Sequence, residues 1–208
     1  PRYYGEEQLG IAKQYKLTEG DDIDIKFEGT LRPEQEPVVS TFLQHVSGGG
    51  GGLLELPCGF GKTSISLYIW SQLKKKTLVI VHKEFLMNQW IERIQQFLPG
   101  AKIGKIQGQI IDIEGKDIVL GMLQSLSMKE YPATMFDSFG LTIIDEVHHI
   151  SSEVFSCALF KLVTKYMLGL SATMNRSDGT TKVFKMFLGP VVYKKERSKD
   201  EKVIVRGI

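Results

Sequence analysis

The stretch LLELPCGFGKTS, residues 53–64, joins an apolar run to a glycine-rich turn and then to a helical pattern. Such a strand–loop–helix segment turns backbone N–H groups and a helix N-terminus toward a bound polyphosphate. Gly59 and Gly61 allow the backbone to curl. Lys62 reaches the β- and γ-phosphates, and the Thr63 hydroxyl binds Mg²⁺. The predicted ligand-contacting residues of this phosphate loop are Pro57, Cys58, Gly59, Phe60, Gly61, Lys62, Thr63 and Ser64.

Two residues of the loop leave alternatives open. The general phosphate-loop pattern has a glycine at the position of Leu56, so a glycine-rich turn with a chance Lys-Thr pair is the alternative interpretation. The strand before the loop and the helix after it argue against that alternative. Cys58 is interpreted either as a small loop residue or as a thiol whose pKa a helix N-terminus lowers.

Short apolar runs alternate with amphipathic helical patterns along the rest of the chain. The predicted strands are Leu53–Leu56, Thr77–Val81, Ile103–Ile106, Asp117–Gly121, Leu141–Asp145 and Tyr166–Leu170, and the predicted helices are Lys62–Leu73, Glu84–Leu98 and Ser152–Thr164. This alternation indicates an α/β fold with a mostly parallel sheet and helices on both faces. Ligands of such sheets bind at the carboxyl ends of the strands, where we expect the chemistry.

The helix predicted from Glu84 has the clearest apolar face. The residues that share it are Phe85, Leu86, Trp90, Ile91, Ile94 and Leu98, and Pro99-Gly100 end the helix. Because Trp90 lies on this face, we interpret it as a core anchor, with a base-stacking platform as the alternative.

Residues 1–28 are predicted to form an N-terminal appendage to the main domain. A short helix is expected over residues 6–15, and a half-buried strand is expected where Ile23, Ile25 and Phe27 alternate with polar residues.

A further helix is predicted to begin at Thr30, as its N-cap, and to end near Ser47. Five consecutive glycines, Gly48–Gly52, follow it. Ordering oligoglycine costs the most backbone entropy, so this tract is predicted to be a flexible loop without a role.

A second group of candidate residues follows the strand predicted to begin at Leu141. The strand delivers Asp145 and Glu146 at its end, and a phosphate-loop ATPase needs two such carboxylates. Asp145 is assigned to Mg²⁺ and Glu146 to the attacking water. An ordinary polar turn after a strand is the alternative, which the preceding phosphate loop disfavours.

Histidines and small hydroxyl residues lie close to these carboxylates. His148-His149 suggest a metal pair, but only His45 and His82 remain elsewhere, so zinc is not expected. Ser171-Ala172-Thr173, after the next strand, can bond the preceding site and sense the nucleotide state, although this tripeptide alone is weakly specific.

In combination these motifs resemble the first, RecA-like lobe of superfamily 2 helicases of the DExH type. They are L-R-P-x-Q at residues 31–35, L-P-C-G-x-G-K-T at 56–63, D-E-V-H at 145–148 and S-A-T at 171–173. The resemblance covers about residues 30–193, and this family commonly replaces the first glycine of the loop. R-S-D-G at 176–179 and L-G-P at 188–190 resemble the branch that contains the repair helicase Rad25, the phage helicase UvsW and the transcript-release helicases of large cytoplasmic DNA viruses.

The resemblance implies an ATP-dependent helicase or translocase with ATP and Mg²⁺ as cofactors. It implies adenine recognition by Gln35 and Arg32, catalytic roles for Lys62, Asp145 and Glu146, and Mg²⁺ contacts from Thr63 and Asp145. It also implies coupling roles for His148, Ser171 and Thr173. The nucleic-acid contacts that it implies are His82, Lys83, Gln89, Gln124 and Ser125; the family often has Pro-Thr at the first two positions.

DNA is favoured over RNA by the branch resemblance. A restriction-type motor subunit that does not unwind, and a nucleotide-gated binding scaffold that barely hydrolyses, are the alternative functions. The resemblance further divides the chain into the appendage (1–28), the ATP-binding lobe (29–193) and an exit segment (194–208). Val203-Ile204-Val205 is expected to lead as a strand toward a second lobe that is absent from the chain.

The overall composition of the chain excludes few classes of protein. The 26 basic and 24 acidic residues give a net charge of +2, which neither identifies nor excludes a nucleic-acid partner. No apolar run approaches the roughly 20 residues of a membrane span, and no signal peptide is expected. Cys58 and Cys157 are far apart, so an intracellular setting is expected, cytoplasmic or nuclear, or virion-associated for a viral protein.

Overall fold

The computed structural model of this chain describes residues 1–10, 16–132, 134–172 and 180–196. The strands are β1 (Gly50–Glu55), β2 (Thr77–Val81), β3 (Ile103–Gln107), β4 (Ile110–Asp112), β5 (Ile118–Met122), β6 (Leu141–Ile144), β7 (Tyr166–Ser171) and β8 (Val191–Lys194). The helices are α1 (Arg2–Leu9), α2 (Glu36–His45), α3 (Lys62–Leu73), α4 (Glu84–Phe97), α5 (Leu123–Met128), α6 (Ser152–Leu159) and α7 (Thr180–Leu188), with one 3-10 turn at Val147–His149.

All eight strands form one sheet in the order β4-β3-β5-β2-β6-β7-β1-β8. Every neighbouring pair is parallel except β3 and β4, which form an antiparallel hairpin at one edge. The predicted α/β class with a mostly parallel sheet is therefore confirmed.

Helices cover both faces of the sheet because its strands are apolar on both sides. In β2, Val79 and Val81 pack into the core that contains α2, α3 and α4, whereas Leu78 and Ile80 pack into the core that contains α5, α6 and α7. This alternation follows from the two-residue period of a strand. The continuous apolar runs in the sequence therefore indicate strands that are buried on both faces of the sheet.

The glycine tract differs from its prediction. Gly50–Gly52 are the buried first half of β1, paired with β7, and do not form a loop. A Cβ on Gly51 would lie 2.5 Å from the carbonyl oxygen of Leu188, and one on Gly52 would lie 2.2 Å from Val192 Cγ2. The tract is glycine because neighbouring chain segments approach it closely, a constraint that the backbone entropy of glycine does not reveal.

The helix before this tract begins later than predicted. Residues 32–35 form a turn, and α2 begins at Glu36 with Pro37 in its first turn. This turn is closed by the N–H of Gln35, which donates to the carbonyl of Arg32, so it is separate from the helix that follows. Gln35, and not Thr30, is therefore the N-cap.

The N-terminal elements also differ from prediction. The helix spans Arg2–Leu9, and residues 11–15 of the predicted helix lie outside the described residues. Around Ile23 and Ile25 the backbone makes only an isolated bridge between Asp22 and Lys75, not a strand. Ile25 nevertheless packs into the core beside α2, which explains its apolar character.

Smaller corrections concern two predicted helices. On α4, Phe85 is 55% exposed, and Met87 lies in the core instead. The last predicted helix ends at Leu159, short of Thr164. The predicted strand at residues 203–205 lies outside the described residues, and no helix among those described is long and apolar enough to cross a membrane.

We expect Gly51→Ala to lower the free energy of unfolding by about 2 kcal/mol, because its Cβ would meet two backbone carbonyl groups. Urea unfolding of the 208-residue chain measures the change. Gly48→Ala is the matched control, because a Cβ there meets nothing within 4 Å. Equal stability of both variants would contradict the role assigned to the tract.

Candidate nucleotide-binding site

The phosphate loop runs from the end of β1 to the start of α3. Gly59 and Gly61 have φ angles of 79° and 89°, in the left-handed region that only glycine adopts at low cost. Gly61 is the N-cap of α3, so Lys62 and Thr63 occupy the first turn of that helix. The backbone conformation is therefore the one expected of a loop that presents N–H groups to phosphate.

The parallel pairing of the strands brings Asp145 and Glu146 next to this loop. Leu56 continues the pairing of β1, since its N–H donates to the carbonyl of Ser171 at the end of β7, and β7 pairs with β6. At this common edge, Lys62 Nζ lies 3.5 Å from Glu146 Oε1. The two side chains are only 10% and 20% exposed, so this ion pair is poorly screened by solvent.

Asp145 is almost completely buried behind this pair. Trp90 donates a hydrogen bond from Nε1 to Asp145 Oδ2, at 2.8 Å. Burial raises the pKa of Asp145 and the repulsion of Glu146 adds to this, while the hydrogen bond from Trp90 and the charge of Lys62 act in the opposite direction. A buried carboxylate that keeps such partners is a candidate ligand for a hard cation.

Glu146 has an unusual backbone. Among the described residues, Lys74 and Glu146 are the non-glycine residues with positive φ. Lys74 caps the end of α3, where this conformation is common, but Glu146 has φ 51° directly after a strand. Strained backbone of this kind costs roughly 1–3 kcal/mol and concentrates at functional sites.

The histidines extend the network from Glu146 to the third motif. His148 Nε2 lies 3.2 Å from Glu146 Oε2, and His148 Nδ1 lies 3.0 Å from Ser171 Oγ. Two of the three predicted coupling residues, His148 and Ser171, are therefore in contact with each other, and His148 also contacts the carboxylate assigned to water. Thr173, the third, lies outside the described residues, as do residues 176–179 of the branch motif.

The two adjacent histidines form a potential metal-binding group together with a nearby carboxylate. Ligand atoms of Glu146, His148 and His149 lie within 4.8 Å of one another. Sequence spacing between His and Cys residues did not show this grouping because Glu146 is its third member. The expectation that zinc does not bind stays a prediction.

The base-recognition residues contact the phosphate loop directly. The Gln35 amide donates from Nε2 to the carbonyl of Phe60, at 2.8 Å, and its Oε1 accepts from the backbone N–H of Arg32. The Arg32 guanidinium donates to the carbonyl oxygens of Gly59 and Phe60. Gln35 is 4% exposed and therefore has a fixed orientation.

A cavity of about 680 Å³ opens beside these residues. Its lining includes Phe27, Thr30, Arg32, Gln35, Gly59, Gly61, Lys62, Thr63, Ser64, Gln89, Glu92, Arg93 and Phe97. Arg32 and Gln35, predicted for adenine, therefore share one cavity with Lys62 and Thr63, whereas Asp145, the other predicted Mg²⁺ ligand, is not among the lining residues. Exposed Cys58 is not among these lining residues.

One wall of this cavity was not foreseen from the sequence. Gln89, expected to contact nucleic acid, lines the cavity together with Glu92 and Arg93 of α4. Gln89, Glu92 and Arg93 recur at helical spacing on the polar side of α4, which is the signal that places them together.

The remaining nucleic-acid candidates follow β2 and β5 at the same end of the sheet. Gln124 is exposed, and its Nε2 donates to the carbonyl of His82; Lys83 is also exposed. Ser125 is instead buried, where its Oγ accepts from the N–H of Gly108. The imidazole pKa of His82 is lowered, first by burial and then by His149 and Lys83.

Comparison with known proteins places this site in a family. A family model described as "Type III restriction enzyme, res subunit" matches residues 28–176. The chain belongs to this family. Its lobe is the first RecA-like lobe of a superfamily 2 helicase, as the motifs of the sequence predicted.

Two related proteins are named as a helicase and as a translocase. A putative ATP-dependent RNA helicase of Acanthamoeba polyphaga mimivirus is 39% identical over 99% of this chain and 40% of its own length. A DNA 3'-5' translocase of Sulfurisphaera tokodaii is 34% identical over 82% of this chain and 37% of its own length. The chain thus spans about two fifths of the length of these curated relatives.

Solved structures share the fold. The UvsW helicase of bacteriophage T4 superposes with a TM-score of 0.66 at 20% identity, over 82% of this chain and 64% of that one. The SWI2/SNF2 ATPase core of Sulfolobus solfataricus in complex with double-stranded DNA gives a TM-score of 0.65 at 24% identity, over 81% of this chain and 37% of that one.

We expect Lys62→Ala to reduce the affinity of the chain for Mg-ADP by about tenfold or more, because charge-assisted hydrogen bonds to phosphate are lost. Titration calorimetry on the 208-residue chain measures the affinity. Lys102→Ala removes an exposed lysine at the start of β3, the opposite end of the sheet, and is the control. Equal affinities of wild type and Lys62→Ala would refute the phosphate-loop assignment.

Proposed function

We propose that this chain is the ATP-binding lobe of a motor that couples Mg-ATP hydrolysis to movement along a nucleic acid. The observation that carries the proposal is the 3.5 Å approach of Lys62 in the phosphate loop to Glu146, beside buried Asp145. This arrangement joins a phosphate-binding cation, a candidate metal ligand and a candidate base at one sheet edge.

The donor set fits Mg²⁺. The Thr63 hydroxyl and the Asp145 carboxylate are oxygen donors, the ligand type that this hard cation prefers. When bound, Mg²⁺ neutralises charge that develops on the phosphate oxygens. In the proposed site Lys62 binds the β- and γ-phosphates, and Glu146 orients and deprotonates the attacking water.

His148 gives Glu146 a defined orientation. Its Nε2 contacts Glu146 and its Nδ1 contacts Ser171, so the histidine connects the proposed base with the end of β7. We propose that His148, Ser171 and Thr173 couple the state of the nucleotide to the rest of the motor.

Base recognition is assigned to Gln35, with Arg32 beside it. A glutamine amide offers both a donor and an acceptor, which matches the adenine edge. Because Gln35 also bonds the carbonyl of Phe60, base recognition and the shape of the phosphate loop depend on the same side chain.

The nucleic acid is proposed to lie across the ends of β2 and β5, where Lys83 and Gln124 are exposed. DNA is the proposed strand, in line with the relative named a DNA translocase, and RNA is tested beside it because another relative is named an RNA helicase. We further propose residues 29–193 as the lobe proper, with 1–28 as an appendage and 194–208 leading toward a second lobe, in line with the greater length of the relatives.

The family description favours a second candidate, a restriction-type motor that translocates without unwinding. A strand-displacement assay beside a translocation assay distinguishes the two on the complete gene product. A scaffold that binds nucleotide without hydrolysis is disfavoured, because such a protein has no chemical use for Glu146.

We expect Glu146→Gln to retain ATP binding and to lower the nucleic-acid-stimulated ATP turnover of the complete gene product by about 10²-fold or more, because the amide cannot accept the proton. Steady-state phosphate release with single-stranded and duplex DNA and RNA measures the turnover. Glu153→Gln, at an exposed glutamate of α6, is the matched control. Normal hydrolysis by Glu146→Gln would remove the role assigned to Glu146.

We expect Gln35→Ala to lower the ratio of ATP affinity to GTP affinity, because the amide that recognises the adenine edge is lost. Both affinities also fall through loss of the hydrogen bond to Phe60, so the ratio isolates the base contribution. Competition binding with the two nucleotides gives the ratio. An unchanged ratio would argue against adenine recognition at this residue.

A further inference from the structure

Trp90 donates its buried indole N–H group to a charged side chain and not to the backbone. The indole is 1% exposed on the inner face of α4, and its Nε1 donates to Asp145 Oδ2 at 2.8 Å. The two residues are 55 positions apart, so the hydrogen bond joins α4 to the carboxylate that follows β6.

Trp70 shows what a buried indole does elsewhere in this chain. It is also fully buried, and its Nε1 donates to the backbone carbonyl of Lys75, at 2.9 Å. That bond satisfies a buried donor without involving a charged group. Trp90, in contrast, donates to a carboxylate in the proposed Mg²⁺ site, where a shift of the acceptor has a chemical consequence.

We propose that Trp90 is a positioning residue that holds the Asp145 carboxylate in the orientation that binds Mg²⁺. The inference rests on the proposed function, since it assigns to Trp90 an effect on the metal ligand of that same site. Trp90 itself is not among the residues that line the nucleotide cavity.

Electrostatics support this role. Asp145 is only 5% exposed, and a buried charge is costly unless hydrogen bonds compensate for its lost hydration. A donor in this place therefore favours the charged carboxylate as well as fixing Oδ2. A phenylalanine would fill much of the same volume but would leave Oδ2 without this donor.

The location of Trp90 on α4 is also informative. Gln89, Glu92 and Arg93 of the same helix line the nucleotide cavity. One rigid helix thus supports both the cavity wall and the metal ligand, and this arrangement keeps Asp145 in register with the bound nucleotide.

The test compares Trp90→Phe with Trp70→Phe, each of which removes one buried indole N–H group. Calorimetry measures ADP binding to the 208-residue chain in Mg²⁺ and again in EDTA, and the ratio of the two affinities is the Mg²⁺ enhancement. We expect Trp90→Phe to lower this enhancement by about tenfold, the loss expected for a hydrogen bond to a charged group. The affinity in EDTA, and the enhancement in Trp70→Phe, should match wild type.

A double-mutant cycle tests whether Trp90 acts through Asp145. In an Asp145→Asn background, Trp90→Phe should change the enhancement no further, because the charged acceptor is already absent. If Trp90→Phe does not fold, benzothienylalanine incorporated at position 90 of Trp70→Phe keeps the ring shape and removes only the N–H donor.

The outcomes separate this inference from the proposed function. A wild-type chain that does not bind ADP would contradict the proposed function itself. If wild type binds with a clear Mg²⁺ enhancement and Trp90→Phe retains it, the positioning role is wrong. Equal losses of ADP affinity in Mg²⁺ and in EDTA would show that Trp90 only packs. A loss of Mg²⁺ enhancement that adds to the loss caused by Asp145→Asn would show the same.

Discussion

The parallel pairing of β1, β7 and β6 is the constraint on which the site depends. Three strands that run in the same direction end at the same edge, so the loop after β1 meets the carboxylates after β6 and the serine at the end of β7. Lys62 and Glu146, 84 positions apart in sequence by their numbers, become neighbours only through this pairing. The buried glycines of β1 make the pairing possible, because larger residues would collide with the segments on either side.

The site combines local strain with buried charge. Glu146 has a left-handed backbone and contacts Lys62 with one carboxylate oxygen and His148 with the other. Asp145, one residue earlier, accepts a hydrogen bond from Trp90 of α4. Adjacent carboxylates with different exposure and different partners can perform different tasks, one as a metal ligand and one as a base.

The sequence predicted those features that short-range patterns encode. Strand–loop–helix order and the glycine spacing located the turn between β1 and α3 with its left-handed glycines, and α3 begins and ends where expected. The glycine tract was misread, since glycine in a strand is explained by crowding from distant segments and not by its own propensity. Trp90 was placed in the core correctly, but hydrophobic periodicity identifies the buried face of a helix and not the hydrogen-bond partner found there.

A crystal structure of the chain with Mg²⁺ and a non-hydrolysable ATP analogue would show where the nucleotide and the metal ion bind. We expect the β- and γ-phosphates at Lys62 and the adenine against Gln35, in the cavity that both residues line, and the metal ion between Thr63 and Asp145. A nucleotide bound elsewhere, or a metal ion that Asp145 does not contact, would contradict this expectation.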